Sequence, residues 1–297
     1  MTEVSFPGLG WTVNVDPVAF HIGSIAIYWY GLIIAAAMVL CVGLAIRQAK
    51  NNKFSSDLVY DIALVSIPSA IVGARIYYVL CEWQYYSQDL LKIFDTRSGG
   101  LAVYGGIIGA FLGAFIMLRI RKIPYSTCAD YCIVYIPLGQ AIGRWGNFFN
   151  QEAFGTTTTL PWGMTSQTIS DYLSRNCPML DPSLPVHPTF LYESVVDLAL
   201  FFILYFVRRH SKYSYETLSV YMIIYGAARF FIEGLRTDSL YIGNTGLRTS
   251  QILSCAIVVF GLLYIAFAHW KEIKRVPLPK RFFETKDPKT EVPAEAR

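Results

Sequence analysis

Residues 31–46 read Gly31-Leu32-Ile33-Ile34-Ala35-Ala36-Ala37-Met38-Val39-Leu40-Cys41-Val42-Gly43-Leu44-Ala45-Ile46, a run without one charged side chain. A bilayer core about 30 Å thick requires roughly 20 apolar residues of helix. This run, extended to 22–46, meets that length, and six further stretches do so near 58–80, 101–118, 125–145, 188–207, 217–235 and 249–270. Apolar residues surround each stretch instead of alternating, which predicts helices and argues against a barrel. Composition agrees: 54% of the 297 residues are hydrophobic and 15% charged, where soluble proteins carry about 25% charge. Mean hydropathy is +0.40. Such a chain is neither disordered nor able to cover a water-facing globule. Its net charge of +4 gives no basic face for nucleic acid. The sequence predicts an all-α integral membrane protein of seven transmembrane helices.

Orientation follows from the basic residues. Seventeen Lys and Arg lie in the first, third and fifth connections and in the tail, against five in the opposite loops. The N-terminus is therefore expected outside and the C-terminus in the cytoplasm. No Lys or Arg precedes Arg47, so the start lacks the basic region of a cleaved signal peptide, and the first span is expected to be retained. Residues 1–270 form the predicted membrane domain, with an external cap at about 147–187. The charged tail 271–297, rich in Pro, Lys and Glu after 275, reads as disordered. Gly105, Gly109 and Gly113, and Gly139 and Gly143, have the small-residue spacing that lets helices approach closely. Pro68 and Pro137 are expected to bend their spans. Cys128 and Cys132 lack the His and carboxylate partners of a zinc site, so no metal is expected. Cys81 and Cys177 both reach the outer side, which leaves a disulfide between them open.

Ionisable groups inside a membrane are costly and mark function by default. Arg75, Arg144, Arg229, Glu193, Asp197 and Glu233 all fall at the outer ends of predicted spans, and Tyr28, Tyr30 and Tyr104 open two of them. Arg229, Glu233 and Arg236 follow i, i+4, i+7 spacing and share a helix face. Taken singly, each has a plain structural account: Arg229 pairs with Glu233, Arg75 snorkels, the tyrosines form a belt. Together they predict an anion site with arginines in excess of carboxylates, suited to a phospholipid phosphate.

The densest polar run is Gly143-Arg144-Trp145-Gly146-Asn147-Phe148-Phe149-Asn150-Gln151-Glu152-Ala153-Phe154-Gly155. It closely resembles the signature of bacterial prolipoprotein diacylglyceryl transferases. Four further segments match in the same order: Tyr28–Gly31, Gly99–Gly106, His187–Glu193 and Ala228–Arg236. The likeness covers about residues 15–270.

That resemblance implies transfer of the diacylglyceryl group of phosphatidylglycerol to the lipobox cysteine thiol of exported prolipoproteins. A thioether forms and glycerol phosphate leaves, with no cofactor, at the outer leaflet of the bacterial plasma membrane. It implies that Arg144 binds the phosphate and that Arg236 is the second arginine acting on it. Asn147, Gly155 and Tyr30 match positions tied to activity, and Asn150 joins them as an uncharged donor and acceptor. Glu152, Glu193, Glu233 and Arg229 are expected to hold the arginines or the lipid. The chemistry needs a stabilised leaving phosphate and a thiolate nucleophile. Many members carry His where this chain has Tyr104, and tyrosine, with pKa near 10, is a poor base. Either Tyr104 only hydrogen-bonds the substrate or another group takes the thiol proton, His187 being the nearest substitute. A transporter, or a lipid-binding protein without catalysis, is the rival reading. A transport path would carry polar groups toward both faces, and here the inner halves are nearly clean apart from Asp61 and Asp130.

Overall fold

A computed structural model describes residues 2–51, 56–95, 99–243 and 245–278. The chain divides into two compact units, one of residues 1–41 and 129–275, the other of 42–128 and 276–297.

The first unit begins with strands. β1 (Thr2–Phe6) pairs antiparallel with β2 (Trp11–Val15), and β3 (Val18–Ile22) with β4 (Ile25–Tyr28). Helix α1 (Trp29–Asn51) starts only after β4. This corrects the expected first span, whose residues 22–28 are strand and turn. Gly23 and Ser24 close a two-residue hairpin with Gly23 at φ +61°, a conformation that glycine adopts without penalty.

The predicted fourth span is divided. It consists of α5 (Tyr125–Cys132), a 3-10 turn (Ile133–Tyr135) and α6 (Ile136–Asn150). Pro137 falls in the first turn of α6, where its missing N–H has no intrahelical partner to lose, so it begins a helix instead of bending one. β5 (Thr165–Ser166) adds to β1, giving the order β2-β1-β5, and leads into the amphipathic α7 (Gln167–Asn176), whose N-cap Ser166 Oγ accepts from the Ile169 amide. Val4, Val15, Phe154, Met164, Ile169, Leu173, Val186 and Phe190 form one buried core beneath this cap. The N-terminal strands and the predicted external loop therefore make a single folded piece. α8 (Thr189–His210), α9 (Glu216–Leu235) and α10 (Thr249–Trp270) complete the unit. Asp130 of α5 accepts from the Leu218 amide at 3.0 Å and so caps α9 from a neighbouring element. The start of the predicted tail is ordered: Lys274 pairs with Tyr213, and the Arg275 amide donates to the Lys212 carbonyl at 2.9 Å. Residues 279–297 lie outside the described residues.

The second unit centres on α2 (Ser56–Cys81), followed by the short α3 (Trp83–Tyr86), a 3-10 turn (Leu90–Phe94) and α4 (Val103–Ile120). Small residues face each other on α2 and α4. A Cβ at Gly109 would stand 3.0 Å from Gly73 Cα and 3.1 Å from the Ser69 carbonyl carbon; one at Gly113 would meet Ser69 Cβ at 2.7 Å. The glycine stripe of α4 thus has the packing role its spacing suggests. Gly143 on α6 does not, since a Cβ there would meet nothing within 4 Å among the described residues. Arg75 is 7% exposed and does not snorkel. Its Nε donates to the carbonyl of Ile93 (2.7 Å), Nη2 to those of Lys92 (2.6 Å) and Asp95 (2.7 Å), and Nη1 to those of Gly99 (3.1 Å) and Gly100 (2.9 Å). Cys81 and Cys177 are free thiols.

Among the described residues six helices, α1, α2, α4, α8, α9 and α10, are long and apolar enough to cross a bilayer, as befits an integral membrane protein. Replacing Gly109 by Val should overpack the α2–α4 contact at a cost of about 1–3 kcal/mol. Thermal unfolding in detergent should fall for Gly109→Val and stay at the wild-type value or above for Gly143→Ala.

Candidate active site

The site grows from the end of α6. Arg144 and Asn147 share one face at i, i+3 spacing. The helix stops at Asn150 because Gln151 turns left-handed (φ +51°), and Ala153 does so again (φ +59°). Neither is glycine, so each conformation is strained by about 1 kcal/mol or more. Contacts hold both in place. The Gln151 side chain is buried and accepts from Ser166 Oγ at 2.6 Å, and the Ala153 carbonyl accepts from Thr189 Oγ1. Between them stands Glu152, whose Oε1 accepts from Asn147 Nδ2 at 2.9 Å and Asn150 Nδ2 at 3.2 Å. Each asparagine thus gives one amide hydrogen to Glu152, which leaves its second N–H and its carbonyl oxygen for other partners.

Beside this turn lies a network of charges. Glu193 of α8 is 4% exposed and meets three arginines: Arg144 Nη2 at 2.6 Å, Arg229 Nη1 at 2.9 Å and Arg236 Nη1 at 3.7 Å. Arg229 also donates to Glu233 Oε2 at 2.5 Å, the i, i+4 pairing expected from α9. Arg236, just past the end of α9, grips Asp238 in two-pronged fashion, Nε to Oδ1 at 2.8 Å and Nη2 to Oδ2 at 2.6 Å. The sequence led us to expect arginines in excess. In the structure Glu193, Glu233 and Asp238 answer the three arginines, and Asp197 lies buried one turn along α8. Among the described residues Arg144 makes one ion pair only, through Nη2. Its Nε and Nη1 are the donors left for an incoming anion.

Gly155 sets the spacing of this network. Its amide donates to the His187 carbonyl at 2.9 Å, and it is bridge-paired with Arg236. A Cβ here would stand 2.7 Å from His187 Cβ and 3.1 Å from the Leu235 carbonyl oxygen. Any larger residue would push Arg236 away from α8. Tyr30, in the first turn of α1, packs on Gly146, where a Cβ would meet its ring at 2.5 Å, and it interacts electrostatically with Glu152 and Arg144. Trp29 stacks on Phe149 at 5.3 Å.

His187 is half-buried. Its Nδ1 lies 3.1 Å from the Tyr192 hydroxyl, which accepts from Trp162 Nε1 at 2.7 Å. The simplest assignment runs Trp162 to Tyr192 to His187, placing the ring proton on Nε2. Burial pulls the imidazole below its ordinary pKa, so it is neutral at pH 7. Tyr104 belongs to the second unit and is exposed in the first turn of α4.

Two charged groups of this network are not marked as site residues by the sequence. Asp238 was missed because it follows the helix end, where an acidic residue reads as surface. Arg248 was counted as a loop charge. It precedes α10, and its Nη1 donates to the carbonyls of Glu233 and Arg236 (3.2 Å) and to Ser239 Oγ (3.1 Å), fixing the turn that carries Arg236.

Known proteins are similar to this chain in sequence. The family model for prolipoprotein diacylglyceryl transferase matches residues 17–267. The chain belongs to the prolipoprotein diacylglyceryl transferase family. Among its relatives is a phosphatidylglycerol–prolipoprotein diacylglyceryl transferase of Finegoldia magna, 45% identical over 250 residues, spanning 84% of this chain and 94% of that one. Proteins of the same name from Clostridioides difficile (43%, 84% and 94%) and Listeria monocytogenes serotype 4b (41%, 86% and 91%) are similar over comparable lengths. Within this transferase fold, the matched region contains α6, α8 and α9 whole, and with them the whole charge network.

Removing the hub should be costly. Glu193→Ala takes from Arg144 its ion pair and from Arg229 and Arg236 a shared carboxylate, and is expected to lower stability by about 3–5 kcal/mol, read from the unfolding transition in detergent. Below pH 6.5 an unfolded chain protonates His187 while the folded chain resists, because its pKa is depressed. Stability should therefore decline as pH falls from about 6.5 through the lowered folded value. His187→Gln should flatten that slope when melting is compared at pH 7.5 and 5.5.

Proposed function

We propose that this chain transfers the diacylglyceryl group of phosphatidylglycerol to the cysteine thiol of prolipoproteins, the first step of bacterial lipoprotein maturation. The observation that carries this reading is Arg144: anchored to buried Glu193 through Nη2 alone, it presents its remaining donors beside the Gly143–Gly155 turn. The names borne by relatives at 41–45% identity supply the two substrates.

The chemistry follows from these groups. The sulfur of the lipobox cysteine attacks the glyceryl carbon, the carbon–oxygen bond to the phosphate breaks, and glycerol phosphate leaves with the electron pair. Arg144 receives the phosphate first, and Arg236 stabilises the charge that grows on it. Glu193 fixes the arginines in place, so the donors are aimed before the lipid arrives. Arg229 is bound to Glu193 and Glu233 on both sides and acts as scaffold. The carbonyl oxygens of Asn147 and Asn150, with Glu152 behind them, accept hydrogen bonds from hydroxyls of the headgroup. Gly155 keeps Arg236 close, and Tyr30 closes the side of the site nearest α1. The thiol proton goes to His187. His187 is neutral, as a base must be, and the nitrogen that would take the proton is Nδ1, released by rotation of the Tyr192 hydroxyl.

We place the protein in the bacterial plasma membrane, with residues 1–270 as the catalytic domain and residues 147–187 as part of its external cap. The interrupted α5–α6 segment is the seventh crossing. The N-terminus and the active site face outward and the C-terminal tail lies in the cytoplasm, in keeping with the distribution of Lys and Arg.

The test is turnover. Purified protein, phosphatidylglycerol and a lipobox peptide with one cysteine should yield a peptide heavier by one diacylglyceryl group and free glycerol phosphate, read by mass spectrometry. Arg144→Ala should lower kcat/KM by about 100-fold or more, and a Cys→Ser peptide should stay unmodified. Lipid bound without peptide modified, across several peptides, would return the protein to non-catalytic lipid binding.

A further inference from the structure

Both working edges of Arg236 are occupied within the chain. Its Nε–Nη2 edge, the one that receives planar two-pronged partners, holds Asp238 at 2.8 and 2.6 Å, and its Nη1 faces Glu193 at 3.7 Å. A phosphate needs the same edge and the same geometry as a carboxylate. It cannot engage that fork while Asp238 is in it. We propose that Asp238 is a positioning residue that competes with the lipid phosphate for the fork of Arg236, so that binding of the headgroup and release of Asp238 are a single exchange. This rests on the transferase reading above.

The surroundings separate Asp238 from the other carboxylates. Its side chain is 34% exposed, against 4% for Glu193 and 2% for Glu233. On release Asp238 turns into water at little cost, whereas the other two would be stranded as buried charges. The backbone beneath it stays fixed during such a swing. Arg248 ties the turn through the carbonyls of Glu233 and Arg236, and Thr237 donates to the Phe154 carbonyl from its amide (3.3 Å) and its hydroxyl (3.1 Å). Only the side chain need move. Tyr172 of the cap helix α7 interacts electrostatically with both Asp238 and Arg236. Burial and the charge of Asp238 push its phenol up, so it stays protonated at neutral pH. Burial works against the Asp238 carboxylate, yet the Arg236 fork outweighs it and holds the group below the usual range. The competitor is therefore charged at every pH at which the protein would work.

Exchange has a direction in the reaction. Glycerol phosphate leaves with the phosphate that the fork held, and the returning Asp238 displaces it. Asp238 thus weakens the grip on substrate and product alike and keeps the site from being blocked by its own product.

The experiment uses the full chain in detergent–lipid micelles, with KM for phosphatidylglycerol and the inhibition constant of glycerol phosphate measured for wild type, Asp238→Asn and Asp238→Ser. Both constants should fall about threefold to tenfold in either variant, with kcat unchanged or lower. A merely structural lock gives another pattern, in which kcat falls while both constants stay or rise. That pattern, or no change at all in the two constants, overturns the proposal. Should wild type itself fail to modify peptide, the transferase reading falls first. Wild-type turnover with unaltered constants in the variants removes the exchange alone.

Discussion

One buried carboxylate organises the site. Glu193 lies on α8, yet the guanidiniums it meets come from α6, from α9 and from the turn beyond α9. In a low-dielectric setting three such charges would repel one another and pay heavily for lost hydration, and Glu193 is what makes their company tolerable. The neighbouring pairs Arg229–Glu233 and Arg236–Asp238 extend the same logic outward. The result is a set of donors whose directions are fixed by the protein and not by the ligand, the arrangement that lowers reorganisation when charge shifts in a reaction. Arg144 is the exception that gives the network a purpose, being the least committed of the three.

Geometry around the signature turn serves that network. Two residues other than glycine adopt left-handed conformations on either side of Glu152, and both are pinned by side-chain contacts from the cap and α8. The turn is therefore over-determined, and Glu152 with its two asparagines is presented on a rigid mount. Gly155 contributes the opposite quality, absence of bulk, where three segments of chain converge.

Much of this was legible in the sequence, and the failures have physical causes. Long apolar runs revealed the helices because no water-soluble segment tolerates them, and intramembrane Glu193, Arg144 and Arg229 stood out because burying charge is costly. Ile25-Ala26-Ile27-Tyr28 runs without a break into the apolar stretch after it and is too short to show a period of its own, so it reads as helix although Gly23-Ser24 ahead of it is a hairpin signal. Pro137 was read as a bend because the 3-10 turn before it, which makes it a helix start, has no mark of its own. Arginines were counted in excess because Asp238 belongs to a loop, where charge carries no penalty and hence no signal. Burial, which separates Glu193 from Asp238, is a property of packing and not of composition.

Arg75 shows a different use of an arginine in a membrane protein. All five of its hydrogen bonds go to main-chain carbonyls, those of Lys92, Ile93, Asp95, Gly99 and Gly100, and Gly99 and Gly100 adopt φ values of +95° and +80°. The described residues of this loop are thus held at their main chain by one buried guanidinium and include two glycines in left-handed conformations. Leu91 and Phe94, 81% and 82% exposed, are not needed for its shape. The path of its described residues hangs on a single side chain, so loss of that one guanidinium would free five carbonyls at once.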